Sequence, residues 1–452
     1  MVSVSGVRGR VGAPLTPELV TAFAATFGAF VRREGTSGPV IVGRDSRTSG
    51  QMFQHAVVAG LQSVGVDVIE IGIVPTPTVL LAVRHHQAAG GIAITASHNP
   101  AEWNALKLIS GEGIFLDADA AARFREMLTT TDPERAPWHA LGQISTDEGA
   151  VRRHLDALLS APEIDVEAIR ARQLHVALDC VRGAGGVIVP ALLEALGCRV
   201  SAIHLETDGR FPRDPEPTAE HLAELGELVR RSGAAIGLAV DPDADRLSLV
   251  DDQGRPMGED YTLALAADVV LRRRQGPLVT NLSTSRVVED VAERYGVAFA
   301  RAAVGEVNVA RRMQAEGAVI GGEGNGGVIL PSLQFTRDAS AGIALILQAL
   351  TDAGIPVSQI VADWPSYRIV KRKIDFAREG LADAYAALEA DLDADEVDTT
   401  DGLRLAWSKR RAWLHVRPSG TEPIVRLIAE APDEAEALAL IERAGSILNR
   451  VA

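Results

Sequence analysis

Cysteine is almost missing from this chain: Cys180 and Cys198 are the two in 452 residues. That excludes a small disulfide-stapled framework. One bridge is formally open, but two thiols in apolar surroundings and a reducing compartment are the simpler expectation. A basic excess is missing as well. Lysine and arginine total 45 against 60 aspartates and glutamates, a net charge of −15, which argues against a general nucleic-acid binder because such surfaces are basic. Anionic ligands stay open, since a local arginine cluster works inside an acidic protein. No apolar run reaches the roughly 18–20 residues that span a bilayer. The start, Met1-Val2-Ser3-Val4-Ser5-Gly6-Val7-Arg8, has no apolar stretch like that of a signal peptide. The expectation is a cytoplasmic protein with no membrane and no nucleic-acid partner.

What is present is apolar patterning. A hydrophobic share of 47% is ample for packed cores, and the length suggests about three or four domains at roughly 100–150 residues each. Thr16 and Pro17 suit the N-cap and first position of a helix reaching about Val31. Pro39–Gly43 reads as a buried strand, followed by a helix near Ser49–Val64, a strand Val66–Ile71, a helix near Pro77–His85 and a short strand Gly91–Ile94. This alternation predicts an α/β layer with a mainly parallel sheet. Ligands of such sheets gather at strand carboxyl ends, where Arg44 and Ser97 both fall. The build recurs: Leu61–Val68, Leu193–Val200 and Ala292–Phe299 are each a helix end, a glycine cap and a strand. A polar, proline-bearing stretch from Asp132 closes a first unit at 1–145, and the patterns place others at 146–250, 251–366 and 367–452. The last differs, with a helix near Leu381–Leu392, strands near Leu403–Trp407, Ala412–Val416 and Ile424–Ala429, and a final helix from Asp433.

Four turns carry chemistry. Thr95-Ala96-Ser97-His98-Asn99-Pro100 offers Ser97 at the mouth of a strand with His98 beside it. Serine is a poor nucleophile unless a base, cation or metal assists it; a turn whose serine bonds only backbone is the plainer alternative. Asp241-Pro242-Asp243-Ala244-Asp245-Arg246 sets three carboxylates at alternate positions of a tight turn, where they repel unless a cation sits among them. Oxygen-only ligands favour Mg²⁺ or Ca²⁺ over zinc. An EF-hand is excluded, because Arg246 and Asp252 stand where it needs glycine and glutamate. Gly321–Gly327 carries Glu323 and Asn325, whose acceptors and donor suit vicinal hydroxyls; taken alone, a glycine-rich turn is the better reading. Arg417-Pro418-Ser419-Gly420-Thr421 combines an arginine, two hydroxyls and free backbone N–H groups, a cradle for a dianion without the lysine of a nucleotide-binding P-loop.

In this order, these stretches resemble the α-D-phosphohexomutases. Thr95–Pro100 with Asn104 and Lys107 is similar to that family's phosphoserine loop, the aspartate turn to its Mg²⁺ loop, Gly321–Gly327 to its sugar-binding loop and Arg417–Pro423 to its phosphate-binding loop. Arg8 and the turn Val304-Gly305-Glu306 match further positions, so the resemblance spans Arg8 to Arg426. It implies an α/β protein: three similar α/β domains with mainly parallel mixed sheets plus a C-terminal α+β domain, around a central cleft. It implies an isomerase that interconverts hexose 6- and 1-phosphates. Phospho-Ser97 gives its phosphoryl group to a bound sugar monophosphate, and the bisphosphate so formed turns over and returns its other phosphate to Ser97. Mg²⁺ on Ser97, Asp241, Asp243 and Asp245 neutralises the developing charge. Lys107 is the candidate general base or charge stabiliser, with His98 and Arg8 nearby; as a base it needs a depressed pKa, from Mg²⁺ and Arg246. Arg246, Glu306, Glu323, Asn325, Arg417, Ser419, Gly420 and Thr421 are expected on substrate.

The chain also departs from the family's pattern. Pro242 and Ala244 stand where glycines are common, Asn325 where serine is, and Trp103 and Ala105 where tyrosine and glycine are. Glu306 is an acid at a turn where members acting on mannose and glucose phosphates have histidine. A carboxylate there favours an ammonium, and Arg337-Asp338-Ala339 also looks like the archaeal-type phosphoglucosamine mutases. Glucosamine phosphate is the expected substrate, with phosphomannomutase/phosphoglucomutase activity as the alternative. A sugar bisphosphate is expected as activator, and a monomer or homodimer as the assembly. Two rivals use the same residues: a sugar-phosphate phosphatase, and a non-catalytic sensor that would have lost Ser97 or an aspartate.

Overall fold

The computed structural model describes residues 2–3, 6–419 and 424–451. Thr16 Oγ1 accepts from the Leu19 N–H and so caps the first long helix, Pro17–Arg33. That helix lies against Gly50–Ser63, followed by the left-handed Gly65. The Val66 N–H donates to the Leu61 carbonyl, so Val66 belongs to the helix cap and the next strand begins at Val68, two residues later than its apolar run suggests.

Three sheets are mainly parallel and share one device. In the first, the parallel strands Gly90–Ile94, Val40–Arg44, Val68–Ile73 and Ile144–Thr146 lie side by side, and Trp103–Ser110 adds antiparallel to Gly90–Ile94. Gly6–Arg10 then pairs antiparallel with Trp103–Ser110. In the second, Ile236–Val240 runs parallel to His175–Asp179, and Leu247–Val250 returns antiparallel beside it. The third repeats this, with Ile320–Glu323 parallel to Leu278–Asn281 and antiparallel to Gly327–Ile329. The fourth sheet, Arg368–Asp375, Ile424–Ala431, Ala412–Pro418, Leu403–Trp407 and Glu396–Asp398, is antiparallel throughout and is backed by helices Leu381–Leu392 and Glu434–Val451. Each chemistry-bearing stretch is therefore the reversal between two antiparallel neighbours. A strand end and its returning partner hold the turn from both sides.

Packing joins the units unequally. One continuous apolar cluster runs from Leu155 to Val357 and fuses the second sheet to the third. The first sheet has a separate cluster on each face, and the fourth unit keeps its own, around Leu405, Leu414 and Leu427. Both cysteines are free thiols, Cys180 buried and Cys198 half-buried. Among the described residues no helix is long and apolar enough to cross a membrane.

Helix Gly50–Ser63 approaches Pro17–Arg33 most closely at Gly60, where a Cβ would stand 2.5 Å from the Thr21 carbonyl oxygen and 2.8 Å from Ala24 Cβ. Alanine at a helix interior is otherwise favoured over glycine by about 1 kcal/mol. Here overpacking against backbone, typically about 1–3 kcal/mol, outweighs that gain. Gly60→Ala should therefore lower the melting temperature, read by calorimetry or circular dichroism.

Candidate active site

The serine turn is held in an uncommon shape by a buried arginine. Ser97 has φ +50°, in the left-handed region where a non-glycine residue is strained. Its N–H donates to Thr95 Oγ1 (2.9 Å), and Thr95 Oγ1 donates to Asp45 Oδ2 (2.6 Å). Asp45 in turn accepts from the backbone N–H and Nε of Arg47. The guanidinium then donates to the carbonyls of Ser97 (2.5 Å), Asn99 (2.6 Å), Pro100 (2.7 Å) and Trp103 (3.0 Å). All five of its N–H donors are used, and the side chain is wholly buried. Arg44, which the sequence places at the same strand end, takes no part in this. Arg44 turns away, its Nε on Gln54.

Held this way, Ser97 Oγ donates to Asp241 Oδ2 at 3.0 Å and lies 3.4 Å from His98 Nδ1. Arg8, on the strand paired with Trp103–Ser110, donates to Asn99 Oδ1 (2.9 Å) from the other side. The aspartate turn is reversed at Ala244, whose φ of +52° explains why glycine suits that position. Asp241 Oδ1 accepts from the N–H groups of Asp245 and Arg246. Asp243 Oδ2 accepts from Thr76 Oγ1 (2.5 Å) and Lys107 Nζ (2.7 Å). Asp245 Oδ2 accepts from Arg337 Nη2 (2.6 Å) and, at 3.3 Å, Lys107 Nζ.

These three carboxylates are fully buried, and one oxygen from each lies within 4.8 Å of the others. Asp243 Oδ1 and Asp245 Oδ1 have no hydrogen-bond partner, an arrangement that costs several kcal/mol per buried ion unless a cation completes it. The all-oxygen donor set with Ser97 Oγ alongside fits a hard divalent cation. Electrostatics record the crowding. Burial, then Asp245 and Asp243, push the Asp241 carboxyl well above its ordinary value. Burial works the same way on Asp245, but Arg337, Lys107 and Arg246 hold it well below.

The depressed lysine expected from Mg²⁺ and Arg246 together is not produced by the protein's own side chains. Burial opposes the charge on Lys107, yet Asp243 and Asp245 outweigh it and hold the ammonium above its usual pKa. Burial, then Arg246 and Arg8, push the His98 imidazole down to about 2, so it stays neutral. Arg246 Nη1 meets Glu216 Oε1 at 3.3 Å, and His98 Nε2 lies 3.8 Å from the same oxygen.

The third turn is bonded directly to the second. Leu247 N–H donates to the Gly326 carbonyl, and Ala339 N–H to that of Ala244. Glu323 Oε1 accepts from Asn281 Nδ2 (2.8 Å) and Gly305 N (3.1 Å), and its Oε2 accepts from Arg337 Nη1 (2.7 Å). Asn325 spends its Oδ1 on the Gly327 N–H. Glu306 is turned inward: its Oε1 accepts from Thr336 Oγ1 and the Arg337 N–H (2.8 Å), and its Oε2 faces Arg337 Nε at 3.2 Å. Arg337 thus joins Asp245, Glu306 and Glu323.

From the fourth sheet, Arg417 Nη2 pairs with Asp401 at 3.1 Å, and Asp401 Oδ2 accepts from the Val304 N–H (3.0 Å). The Ser419 N–H donates to the Ile424 carbonyl. Gly420 and Thr421 lie outside the described residues. An unbroken chain of polar contacts and backbone therefore leads from Arg417 through Asp401, Val304–Gly305, Glu323 and Arg337 to Asp245. Asp45, Arg47, Thr76, Glu216 and Asp401 were not anticipated. Asp45 and Arg47 had one signal, their place after a buried strand; the others act across long sequence separations.

Comparison with known proteins agrees with this geometry. Profiles described as phosphoglucomutase/phosphomannomutase alpha/beta/alpha domains I, II and III match residues 2–135, 152–254 and 258–367, and that of the C-terminal domain matches 369–444. The chain belongs to the α-D-phosphohexomutase family. A phosphoglucomutase/phosphomannomutase of Thermococcus kodakarensis is 39% identical across 97% of this phosphohexomutase and 96% of its own length. A probable phosphoglucosamine mutase of Methanopyrus kandleri is 34% identical across 99% of this chain and 97% of its own. Among solved structures, a phosphoglucomutase/phosphomannomutase family protein of Burkholderia thailandensis superposes with TM-score 0.85 at 25% identity, covering 100% of this chain and 98% of that one. The enzyme is accordingly an isomerase of the phosphotransferring mutase type.

Lysine has three donors where Arg47 uses five, and it cannot reproduce the planar fork. Arg47→Lys should let the serine turn relax and lower kcat roughly a hundredfold, the order expected when a reacting group is displaced by about 1 Å. Steady-state kinetics on variant protein shown to be folded by circular dichroism checks this.

Proposed function

We propose that this mutase interconverts glucosamine 6-phosphate and glucosamine 1-phosphate through phospho-Ser97 and a sugar bisphosphate intermediate, and that Mg²⁺ is its cation. The observation that carries the mechanism is Ser97 Oγ, fixed 3.0 Å from Asp241 on a strained backbone, beside two carboxylate oxygens that have no hydrogen bond. Asp241, Asp243 and Asp245 would hold the cation. Bound there, it supplies charge neutralisation for the transferring phosphoryl group. Lys107, kept protonated, and Arg246 add positive charge on the same side, while Arg8 holds Asn99 and with it the serine turn. As the sugar hydroxyl forms its new P–O bond and the Ser97 O–P bond breaks, the hydroxyl gives up a proton and the departing Ser97 Oγ takes one. His98, neutral and beside Oγ, would relay that proton to the serine oxygen, and a phosphoryl dianion there raises its pKa. Arg417 and its loop grip the phosphate that is not reacting, which favours retention of the bisphosphate over hydrolysis and sets the phosphatase reading aside.

Ser97→Ala should lower turnover roughly a thousandfold or more. Intact-mass measurement should find a phosphoryl adduct on wild-type protein as purified and none on the variant. Near-normal turnover in Ser97→Ala overturns the phosphoserine route.

The sugar rests on two supports. Relatives named probable phosphoglucosamine mutase align over nearly the whole chain, and Glu306 and Glu323 line the sugar-binding unit with carboxylates. Burial pushes Glu306 up, against the pull of Arg337, and a substrate ammonium sharing Oε2 would favour its charged form. A second reading, neutral hexose phosphates, is favoured by the 39% identical relative and by the engagement of both Glu306 oxygens within the protein. The comparison is kcat/KM for glucosamine 6-phosphate, glucose 1-phosphate and mannose 1-phosphate in wild type and Glu306→Gln. Glucosamine phosphate should win in wild type. Glu306→Gln should erode that preference about tenfold, the lower end of a charge-assisted hydrogen bond; victory for the neutral sugars in wild type refutes the assignment.

A further inference from the structure

One buried titratable group has no part in the mechanism above. His154, on the helix Ala150–Leu159, is wholly inaccessible, as is Thr78, and Asp338 is 1% exposed. His154 Nδ1 lies 2.8 Å from Thr78 Oγ1, and His154 Nε2 lies 2.7 Å from Asp338 Oδ2. The three come from different parts of the fold. Thr78 is in the first turn of Thr76–His85 in the first unit, His154 precedes the second sheet, and Asp338 caps the helix Ala339–Ala353 of the third. A hydroxyl–imidazole–carboxylate line suggests a nucleophile, but no substrate can reach it. Its ends tell more.

Thr78 is two residues from Thr76, which holds Asp243 by its hydroxyl (2.5 Å) and by its N–H on the Asp243 carbonyl (2.9 Å). Asp338 follows Arg337, which holds Asp245 at 2.6 Å. We infer that His154 is a positioning residue for the cation site: by tying Thr78 to Asp338, it sets the spacing between the two grips on Asp243 and Asp245. The ring closes through Asp243, Thr76, Thr78, His154, Asp338, Arg337 and Asp245, crossing three units. Asp338 is itself immobile, its Oδ1 accepting from the N–H groups of Ser340 (2.9 Å) and Ala341 (3.3 Å) and its Oδ2 from Gln334 Nε2 (3.3 Å). As an acceptor-only carboxylate it takes the proton-bearing Nε2, so the Nδ1 lone pair receives the Thr78 hydroxyl. Both imidazole nitrogens are thus bonded, and the line fixes the ring from both sides.

This inference rests on the cation reading of the aspartate turn, and the test separates the two. Mg²⁺ binding to the full-length protein is measured by calorimetry, and Mn²⁺ binding by electron paramagnetic resonance. Wild type should bind one ion and Asp243→Asn should not; a wild type that binds neither metal removes the cation reading and this inference with it. Given wild-type binding, His154→Phe, which fills the space but makes neither bond, should weaken the ion about tenfold, the lower end of what loss of an outer-shell partner costs. KM for the sugar phosphate should not move, while kcat falls. His154→Gln, with a donor and an acceptor, should recover part of the loss. If His154→Phe does not fold, Thr78→Val, which removes one hydroxyl at constant shape, carries the same expectation to a smaller degree. Folded His154→Phe or Thr78→Val that binds the ion within about twofold of wild type overturns the proposal, as does His154→Gln no better than His154→Phe.

Discussion

Mutual repulsion among three buried carboxylates governs the centre of this enzyme. Asp241, Asp243 and Asp245 stand within ligand reach of each other and away from solvent, an arrangement that by itself opposes folding. Every neighbour answers it. Lys107 and Arg337 bring positive charge to Asp243 and Asp245, Thr76 donates a hydroxyl, and two backbone N–H groups face Asp241. The compensation is incomplete, because Asp243 Oδ1 and Asp245 Oδ1 have no hydrogen bond and only the latter has an ion pair, with Arg246 Nε at 3.7 Å. Stability and cation affinity are therefore set by the same contacts, and the protein has been kept short of the fully paired state that would leave a cation nothing to do.

The hairpin turns explain how so strained a centre stays in register. A loop at the end of a lone parallel strand is fixed on one side only. Here the serine, aspartate and glycine turns are each clamped between a parallel-sheet strand and an antiparallel return, then bonded across units through Thr76, Ala339 and Leu247. Ser97 tolerates its left-handed backbone because Arg47 over-determines it, with four carbonyls on one guanidinium.

Much of this was legible in the sequence, for definite reasons. Short apolar runs ending in turn residues located the buried strands, and the four loops were recognisable because their chemistry is contiguous: Ser97 beside His98, and three aspartates at alternate positions. Boundaries slipped where a glycine cap took residues from a strand, as at Gly65–Val66. The antiparallel returns were hidden, since a buried strand reads alike in either direction. Whatever depends on distant partners was also hidden. Nothing local says that Arg47 and not Arg44 faces the serine turn, or that Asp401 lies against Val304. Lys107 was placed at the site, but its direct pairing with Asp243 and Asp245 is visible only in three dimensions. Glu306 showed as an acid at the right turn, whereas its inward rotamer toward Thr336 and Arg337 belongs to the fold.

The unequal packing of the four units has a mechanical consequence. Parting the second sheet from the third would tear one apolar core and expose Val, Leu and Ile side chains to water. The fourth unit meets the third through polar contacts instead: Arg404 on the Leu282 carbonyl, His415 on Ser283, Glu430 on the Arg286 N–H, and Tyr367 with Arg411 on Asp290. Those with a charged partner are worth about 1.5–3 kcal/mol each against water. The fourth unit, which carries Arg417, is thus tied to the third by polar contacts while keeping its own apolar core, so parting the two would expose less apolar surface than parting the second sheet from the third.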